Sequence, residues 1–519
     1  MPKGRHFRWD KAPADAATKR THGETQGKHH IGNPLGTAVD CHQTTYLVRP
    51  DWASADPSNR TRRQTTAARR PTPETPLNSA LTTALDPLAS AVSKVKRHVL
   101  PLFLIMFIAN YIDRVNIGFV NAHMKTDLGI GAAAYGLGSG LFFIGYALFE
   151  VPSNVLMQKY GARAWLTRIM GTWGVVAACM AFVSNETSFY VLRFLLGVAE
   201  AGFFPGVVFY FTQWLPQKER GKAVAIFLSG SAIASVVSGP ITGSLLSIRG
   251  LGLHGWQWMF LIEGGFSIAL CAVSWIFLKS RIRDASWLTA DEQRVLEGAI
   301  AAEQAERVAH GGAHLPAVKL LKDPQIVLFC LLYFAIQLTI YAATFWLPTI
   351  IRKIGGLSDF EVGMLNAIPW LIAMVAMYCF ALLSAKWRFQ QAWLAVALVI
   401  AACGLFASTS GNPVLSFVAI CFSAIGFKAA ASLFWPIPQG YLDARVAAAV
   451  IALINSIGNL GGFFAPATFG YLQQHTGSIT GGLYGLGVAS LIAAAAAFLA
   501  RNRRGDGNAL RDPLQGNAH

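Results

Sequence analysis

The 519-residue chain predicts an all-α polytopic membrane protein, with twelve transmembrane helices in two pseudo-symmetric six-helix bundles. Three observations carry that reading. Hydrophobic residues make up 53% of the chain and charged residues 13%, with a mean hydropathy of +0.42, more apolar content than a water-soluble core buries. The apolar residues fall into long windows of the roughly 20 residues that bilayer hydrocarbon requires. Those windows are rich in Leu, Ala, Gly and Phe and lack period-two alternation, which predicts helices rather than the strands of a membrane barrel.

Residues 1–97 come first. This stretch is polar and basic ("SNRTRRQTTAARRPTPETP"), has no helical apolar stripe and is expected to be a disordered extension. No apolar segment precedes a small-residue cleavage site, which argues against a signal peptide. Six spans follow near 98–120, 134–157, 165–184, 187–211, 222–247 and 257–279, giving an N-terminal bundle over 98–280. The polar segment 281–322 reads as a linker whose "LTADEQ" opens a capped helix, with Thr289 as the cap and Glu292 three residues on. Six further spans near 323–348, 360–383, 390–409, 413–437, 446–472 and 480–501 make a C-terminal bundle over 323–501, ahead of a tail over 502–519. Two half-sized bundles joined by a linker are what a carrier needs in order to rock about a central site.

The net charge of +16 follows this topology. Residues 1–97 hold 16 Lys and Arg against 8 Asp and Glu, a surplus of eight, and the remainder lies mostly in alternate loops. One set of loops carries Lys159, Arg163, Arg168, Lys218, Arg220, Lys222, Lys386, Arg388, Arg445, Arg501, Arg503 and Arg504. The opposite set carries Lys125, Arg249, Arg352 and Lys353. This positive-inside bias argues for cytoplasmic termini and against nucleic acid as the partner of the basic residues.

Charges inside the spans are few: Asp113, Arg114, Glu150, Arg193, Glu200, Glu263 and Lys428. Each is expensive near the bilayer centre, so each is a functional candidate by default, with a structural ion pair as the alternative. Arg193 and Glu200 stand seven residues apart and share a helix face, about 10.5 Å apart along the axis. Facing a cavity, they offer one anion-binding and one proton-accepting group. Asp113 and Arg114 point about 100° apart, so one can face a cavity while the other turns toward a neighbouring helix. Glu150, near Pro152, and Glu263, in "WQWMFLIEGG", read more readily as structural. Lys428 lies deep in its span, where it serves as a cationic partner for a substrate carboxylate or as a buried neutral lysine.

Catalytic chemistry has no visible seat. The chain lacks GxxxxGK[ST], HExxH and GxSxG, and six of its seven cysteines sit in apolar windows without metal-ligand spacing. Neither an enzyme nor a bound metal or cofactor is expected.

Six motifs together carry a resemblance: "NYIDRVNIGF", "FFIGYALFEVPSNVLMQKYGAR", "RFLLGVAEAGFFPG", "WQWMFLIEG", "FWLPTII" and "INSIGNLGGF". Over residues 98–501 the chain resembles the anion:cation symporter branch of the major facilitator superfamily. That resemblance implies the major facilitator fold and proton-coupled uptake of an organic carboxylate, such as an aromatic acid, a dicarboxylate or a sugar acid, across a bacterial inner membrane. An efflux carrier or uniporter on the same fold is the alternative. It implies Asp113 and Glu200 as proton-carrying carboxylates, with Arg114 and Arg193 tuning them or meeting the anion. Tyr111 and Tyr146 match substrate-contacting tyrosines, Asn455 and Asn459 serve from the second half, and Gly161 and Arg163 are the recognisable parts of the gating loop. The partners implied are a small organic anion, protons and the lipid bilayer, and a monomer is expected. Two positions depart from the pattern: Gln158 and Lys159 replace the usual acid–base sequence of that loop, and Lys428 stands where a neutral residue is usual.

Overall fold

A computed structural model describes residues 76–309, 322–386, 389–442 and 444–500, all of them helices and short connections. The N-terminal bundle contains α1 (Pro76–Val115), α2 (Ile117–Leu128), α3 (Ala132–Tyr160), α4 (Ala162–Cys179), α5 (Glu186–Glu200), α6 (Phe203–Trp214), α7 (Gln217–Leu246) and α8 (Gly255–Phe277). A linker helix, α9 (Ala290–Ala309), follows. The C-terminal bundle contains α10 (Pro324–Arg352), α11 (Asp359–Lys386), α12 (Gln390–Ala407), α13 (Pro413–Phe434), α14 (Pro436–Tyr441), α15 (Ala444–Asn459), α16 (Gly461–Thr476) and α17 (Thr480–Ala497). Several of these helices stack end to end, so the described residues hold the expected twelve candidate membrane spans. Local sequence sets many of the starts. Asp323 and Asn412 accept hydrogen bonds from the first free amides of α10 and α13, with Pro324 and Pro413 at the first helical position.

The first span corrects the expected boundary. Helix α1 begins at Pro76 rather than near 98, and Ala91, Val92 and Val95 are buried within the extension expected to be disordered. Lys94, Lys96 and Arg97 alternate with those apolar residues and dilute the hydropathy of a face that packs. Residues 1–75, linker residues 310–321 and the tail 502–519 lie outside the described residues.

The two bundles meet along a seam at one face, here called the His123 face. Helix α3 runs against α16 and α7 against α11, with backbone touching backbone. A Cβ on Gly136 would lie 2.2 Å from the Pro466 carbonyl oxygen, and one on Gly239 would lie 2.2 Å from that of Gly363. Any side chain at these positions forces the helices apart. Polar groups bridge the same face. His123 Nε2 lies 3.1 Å from Asp359 Oδ1, Arg352 binds the same carboxylate, and Asn121 Nδ2 donates to Thr349 Oγ1 at 3.2 Å.

The opposite face, where the linker lies, is built differently. On the His123 side one apolar core runs across both bundles and includes Phe142, Phe345, Trp346 and Phe469. On the linker side the C-terminal bundle has a separate core around Phe329, Ile336, Phe427 and Phe434. The core shared by both bundles on the His123 side is thus distinct from the one that holds the C-terminal bundle together.

The linker helix belongs to the N-terminal bundle. Thr289 and Glu292 form the expected cap, the Thr289 amide donating to Glu292 Oε2 at 2.8 Å and the Glu292 amide to Thr289 Oγ1 at 3.3 Å. Glu292 also accepts from Ser90 Oγ at 2.6 Å and pairs with Lys94 Nζ at 2.8 Å. Arg220 pairs with Glu303 at 2.7 Å, and His98 stacks on Trp287 with centroids 4.5 Å apart.

Two predictions follow from these contacts. Gly363→Leu should wedge α11 from α7. With the native cysteines removed, Ser238→Cys should then react several-fold faster with a membrane-impermeant thiol reagent applied from the His123 face, whereas equal rates would show that this contact does not seal it. The second concerns the linker. Hydrogen bonds from Lys94, then Ser90 and the Thr289 amide, hold the Glu292 carboxyl down at about 2, below the usual carboxylate range. A carboxyl lowered by folding stabilises the docked helix above its unfolded titration range and loses that contribution as pH falls toward about 2. Glu292→Gln should therefore weaken amide-exchange protection of α9 at neutral pH by about 1 kcal/mol, after allowing for solvent screening of Lys94. The difference from the unaltered protein should shrink as the pH is lowered.

Candidate functional site

Helix breaks position the central charges. The first span is interrupted between α1 and α2 at Asn116, three residues past Asp113. The fourth is interrupted directly after Glu200, where Gly202 takes φ 89°, a left-handed conformation that glycine adopts without steric cost. Space also demands glycine there, because a Cβ would meet Ser153 Oγ at 2.4 Å. Ser153 Oγ donates to the Ala201 carbonyl at 2.6 Å and accepts from Trp165 Nε1 at 3.0 Å, satisfying backbone freed by the break. Neighbouring helices α3 and α4 thereby brace the end of α5 that carries Glu200.

At the centre Arg114 Nη2 lies 2.8 Å from Glu200 Oε2, joining α1 to α5. Glu200 is wholly buried, while the Arg114 side chain keeps 15% of its surface exposed. The Arg114 guanidinium sits 5.1 Å from the Phe142 ring centroid and 5.2 Å from that of Tyr146, both on α3. Arg193, also wholly buried, approaches the same Phe142 ring at 5.1 Å and donates from Nη2 to the Ser139 carbonyl at 3.4 Å. Tyr341 of α10 comes within electrostatic reach of Arg114, so this cluster of the N-terminal bundle faces a residue of the other.

Asp113 and Arg114 do part company. Asp113, 2% exposed, turns toward α4 and accepts a 2.9 Å hydrogen bond from Trp173 Nε1. Arg114 is the member of the pair that faces the bundle interface. Arg193 lies within electrostatic reach of both Asp113 and Glu200.

The remaining sequence candidates fall in three places. Tyr146 belongs to the central cluster, and Tyr111 lies on α1 beside Ser235 of α7. Lys428 is on α13 in the C-terminal bundle, its Nζ 5.1 Å from the Trp370 ring centroid. Trp370 in turn lines a small interbundle cavity of about 10 Å³ with Ser235, Ser238, Thr344 and Asn366. Asn459 accepts from Gln337 Nε2 at 3.4 Å within the C-terminal bundle, and Asn455 is half-buried one turn earlier on α15. Gly161 and Arg163 lie apart from all of these. Gly161 closes α3 with φ 88°, and Arg163 donates to the Trp275 carbonyl at 2.5 Å while covering its ring at 4.7 Å, which ties the loop to α8.

Sequence reasoning missed Trp173, Phe142 and Asn116, since none stands out in an apolar window. Glu263, read there as structural, accepts from the Asn116 amide and lies within electrostatic reach of Asp113. Among the described residues no group of three or more His, Cys, Asp or Glu is gathered to hold a metal ion.

Twelve spans, two bundles and a buried charged cluster at their interface define a membrane transporter rather than an enzyme. A family model described as Major Facilitator Superfamily matches residues 102–466, and the chain belongs to that superfamily. It is 41% identical over 395 residues to a quinolone resistance transporter of Acinetobacter baumannii, covering 76% of this chain and 91% of the relative. It is 42% identical over 399 residues to a putative tartrate transporter of Agrobacterium vitis, covering 76% of this chain and 88% of the relative. In fold it is similar to a bacterial homologue of the human lysosomal transporter Spinster, solved in an inward-facing, occupied conformation. That match has a TM-score of 0.65 and 17% identity, over 78% of this chain and 96% of that one.

Trp173→Phe keeps the ring but removes the donor to Asp113, whose other oxygen has no hydrogen-bond partner. The expected loss is about 1 to 3 kcal/mol of stability, read as a lower thermal unfolding midpoint in detergent. An unchanged midpoint would mean that the indole N–H does not support the carboxylate.

Proposed function

We propose that the protein is a proton-coupled importer of an organic carboxylate, working by alternating access in a bacterial inner membrane with both termini cytoplasmic. The substrate class is an aromatic acid, a dicarboxylate or a sugar acid. One observation carries the proposal: Arg114, which faces the second bundle, is held by Glu200 in a dry core.

The pair couples proton and anion by exclusion. While Glu200 is ionised it occupies the guanidinium. A proton on Glu200 releases Arg114 to meet a substrate carboxylate, with Tyr146 and Tyr341 beside it, and Asp113 carries a proton behind it. Loss of the Glu200 proton then restores the ion pair and expels the anion. Binding of each species thus favours binding of the other, the differential affinity that a symporter requires. Lys428, against the Trp370 ring, offers a second cationic contact for a substrate with two acidic groups.

The charge bias of the loops supports placing the His123 face, where the bundles meet, on the outside. The relative named as a putative tartrate transporter supports a carboxylate substrate. The relative named as a quinolone resistance transporter favours a second reading, export on the same fold. Right-side-out and inverted vesicles under an imposed pH gradient separate the two by which orientation accumulates substrate.

A panel of labelled carboxylates including tartrate supplies the decisive measurement. Glu200→Gln should abolish gradient-driven accumulation while counterflow exchange of the transported acid persists. Normal accumulation by this variant would remove Glu200 from the coupling role.

A further inference from the structure

Glu263, half-buried with its Oε1 fully enclosed, is a carboxylate that the mechanism above leaves unused. It projects from α8 toward Asn116, whose amide Nδ2 donates to Oε2, and toward the Thr242 hydroxyl of α7. Asn116 and Thr242 are wholly buried. Glu263 Oε1, Asn116 Oδ1, Thr242 Oγ1 and Asp113 Oδ1 are all buried without a hydrogen-bond partner. Three helices therefore bring together more acceptor oxygens than donors, and buried acceptors left unmatched are costly.

The charge count points the same way. The core of the N-terminal bundle holds three carboxylates, Asp113, Glu200 and Glu263, against two guanidiniums, Arg114 and Arg193. Glu150, which faces Arg114 from the linker side, adds to the negative side, whereas Lys428 lies in the other bundle against Trp370. Around Glu263 the facing groups are Asp113 and Asn116 from α1, Thr242 from α7, and Trp173 from α4, bonded to Asp113. None of these neighbours of Glu263 is cationic. An unmatched carboxylate in so dry a place is strongly disfavoured, and one proton supplies both the missing positive charge and the missing donor.

We propose that Glu263 is a further proton-carrying carboxylate, beside Glu200 and Asp113, loaded independently of the Arg114–Glu200 pair. The proton resides on Oε1, which then donates to Thr242 Oγ1. Asn116, at the break in the first span, lies one helical turn beyond Asp113, which is within electrostatic reach of Glu263. The role of this proton in transport rests on the proton-coupled reading. Its presence does not, and can be read without substrate.

The test is infrared spectroscopy of the full chain in lipid nanodiscs, with and without 13C-carboxyl-labelled glutamate. At neutral pH a protonated-carboxyl band should appear, shift with the glutamate label, survive Glu200→Gln and vanish in Glu263→Gln. Thr242→Val keeps the carboxyl but removes its neighbour, so it should move the band even if Glu263→Gln fails to fold. The proposal is overturned if no label-sensitive band exists at neutral pH, if the band persists in Glu263→Gln, or if Thr242→Val leaves it unmoved. Loss of the band when sodium replaces choline would also overturn it, by making a metal cation the occupant. A failure of Glu200→Gln to uncouple transport would strike the transport mechanism and leave this measurement standing.

Discussion

The Arg114–Glu200 ion pair is the interaction on which the arrangement of the N-terminal bundle turns. Placing both charges in the core is affordable only because each satisfies the other at 2.8 Å and because Phe142 and Tyr146 present their ring faces to the guanidinium. Much of the local architecture serves that pair. The chain breaks after Glu200, Gly202 makes the break possible, and Ser153 with Trp165 caps the freed carbonyl. A buried ion pair is weak evidence for stability, since packed apolar residues of similar volume often hold a fold as well.

Around this pair the charges are sorted by helix face. Arg114 looks toward the interface between bundles, Asp113 is turned back onto Trp173, and Arg193 lies beneath Phe142 with a backbone carbonyl as its partner. Neighbouring positions on one helix thus meet different surroundings, one aromatic and partly open, the other closed by an indole. The C-terminal bundle contributes mainly amides and rings, with Lys428 as its deep cation.

Much of this was legible in the sequence because burying charge is costly. Asp113, Arg114, Arg193 and Glu200 stand out in apolar windows, and the 100° offset between the first two translates directly into their opposite partners. Which one faces the interface was not legible, since that depends on how α1 is rotated against α3, α4 and α5, and no single span encodes it. The start of α1 was misread for a related reason: Ala91, Val92 and Val95 pack on one face while the lysines between them lower the average. The partners of Glu263 were not legible because Asn116 and Thr242 come from distant parts of the chain.

The glycine seam has a consequence for the speed of the working cycle. Where Gly136 meets Pro466 and Gly239 meets Gly363, the surfaces that touch are backbone, with no side chain at these glycines to immobilise or release. Parting and rejoining there leaves rotamer freedom at the glycines unchanged, so the contact behaves as a smooth bearing rather than as interlocking teeth. Resistance to opening then falls on the apolar core shared across this face and on the directed bonds at its rim, among His123, Arg352 and Asp359 and between Asn121 and Thr349.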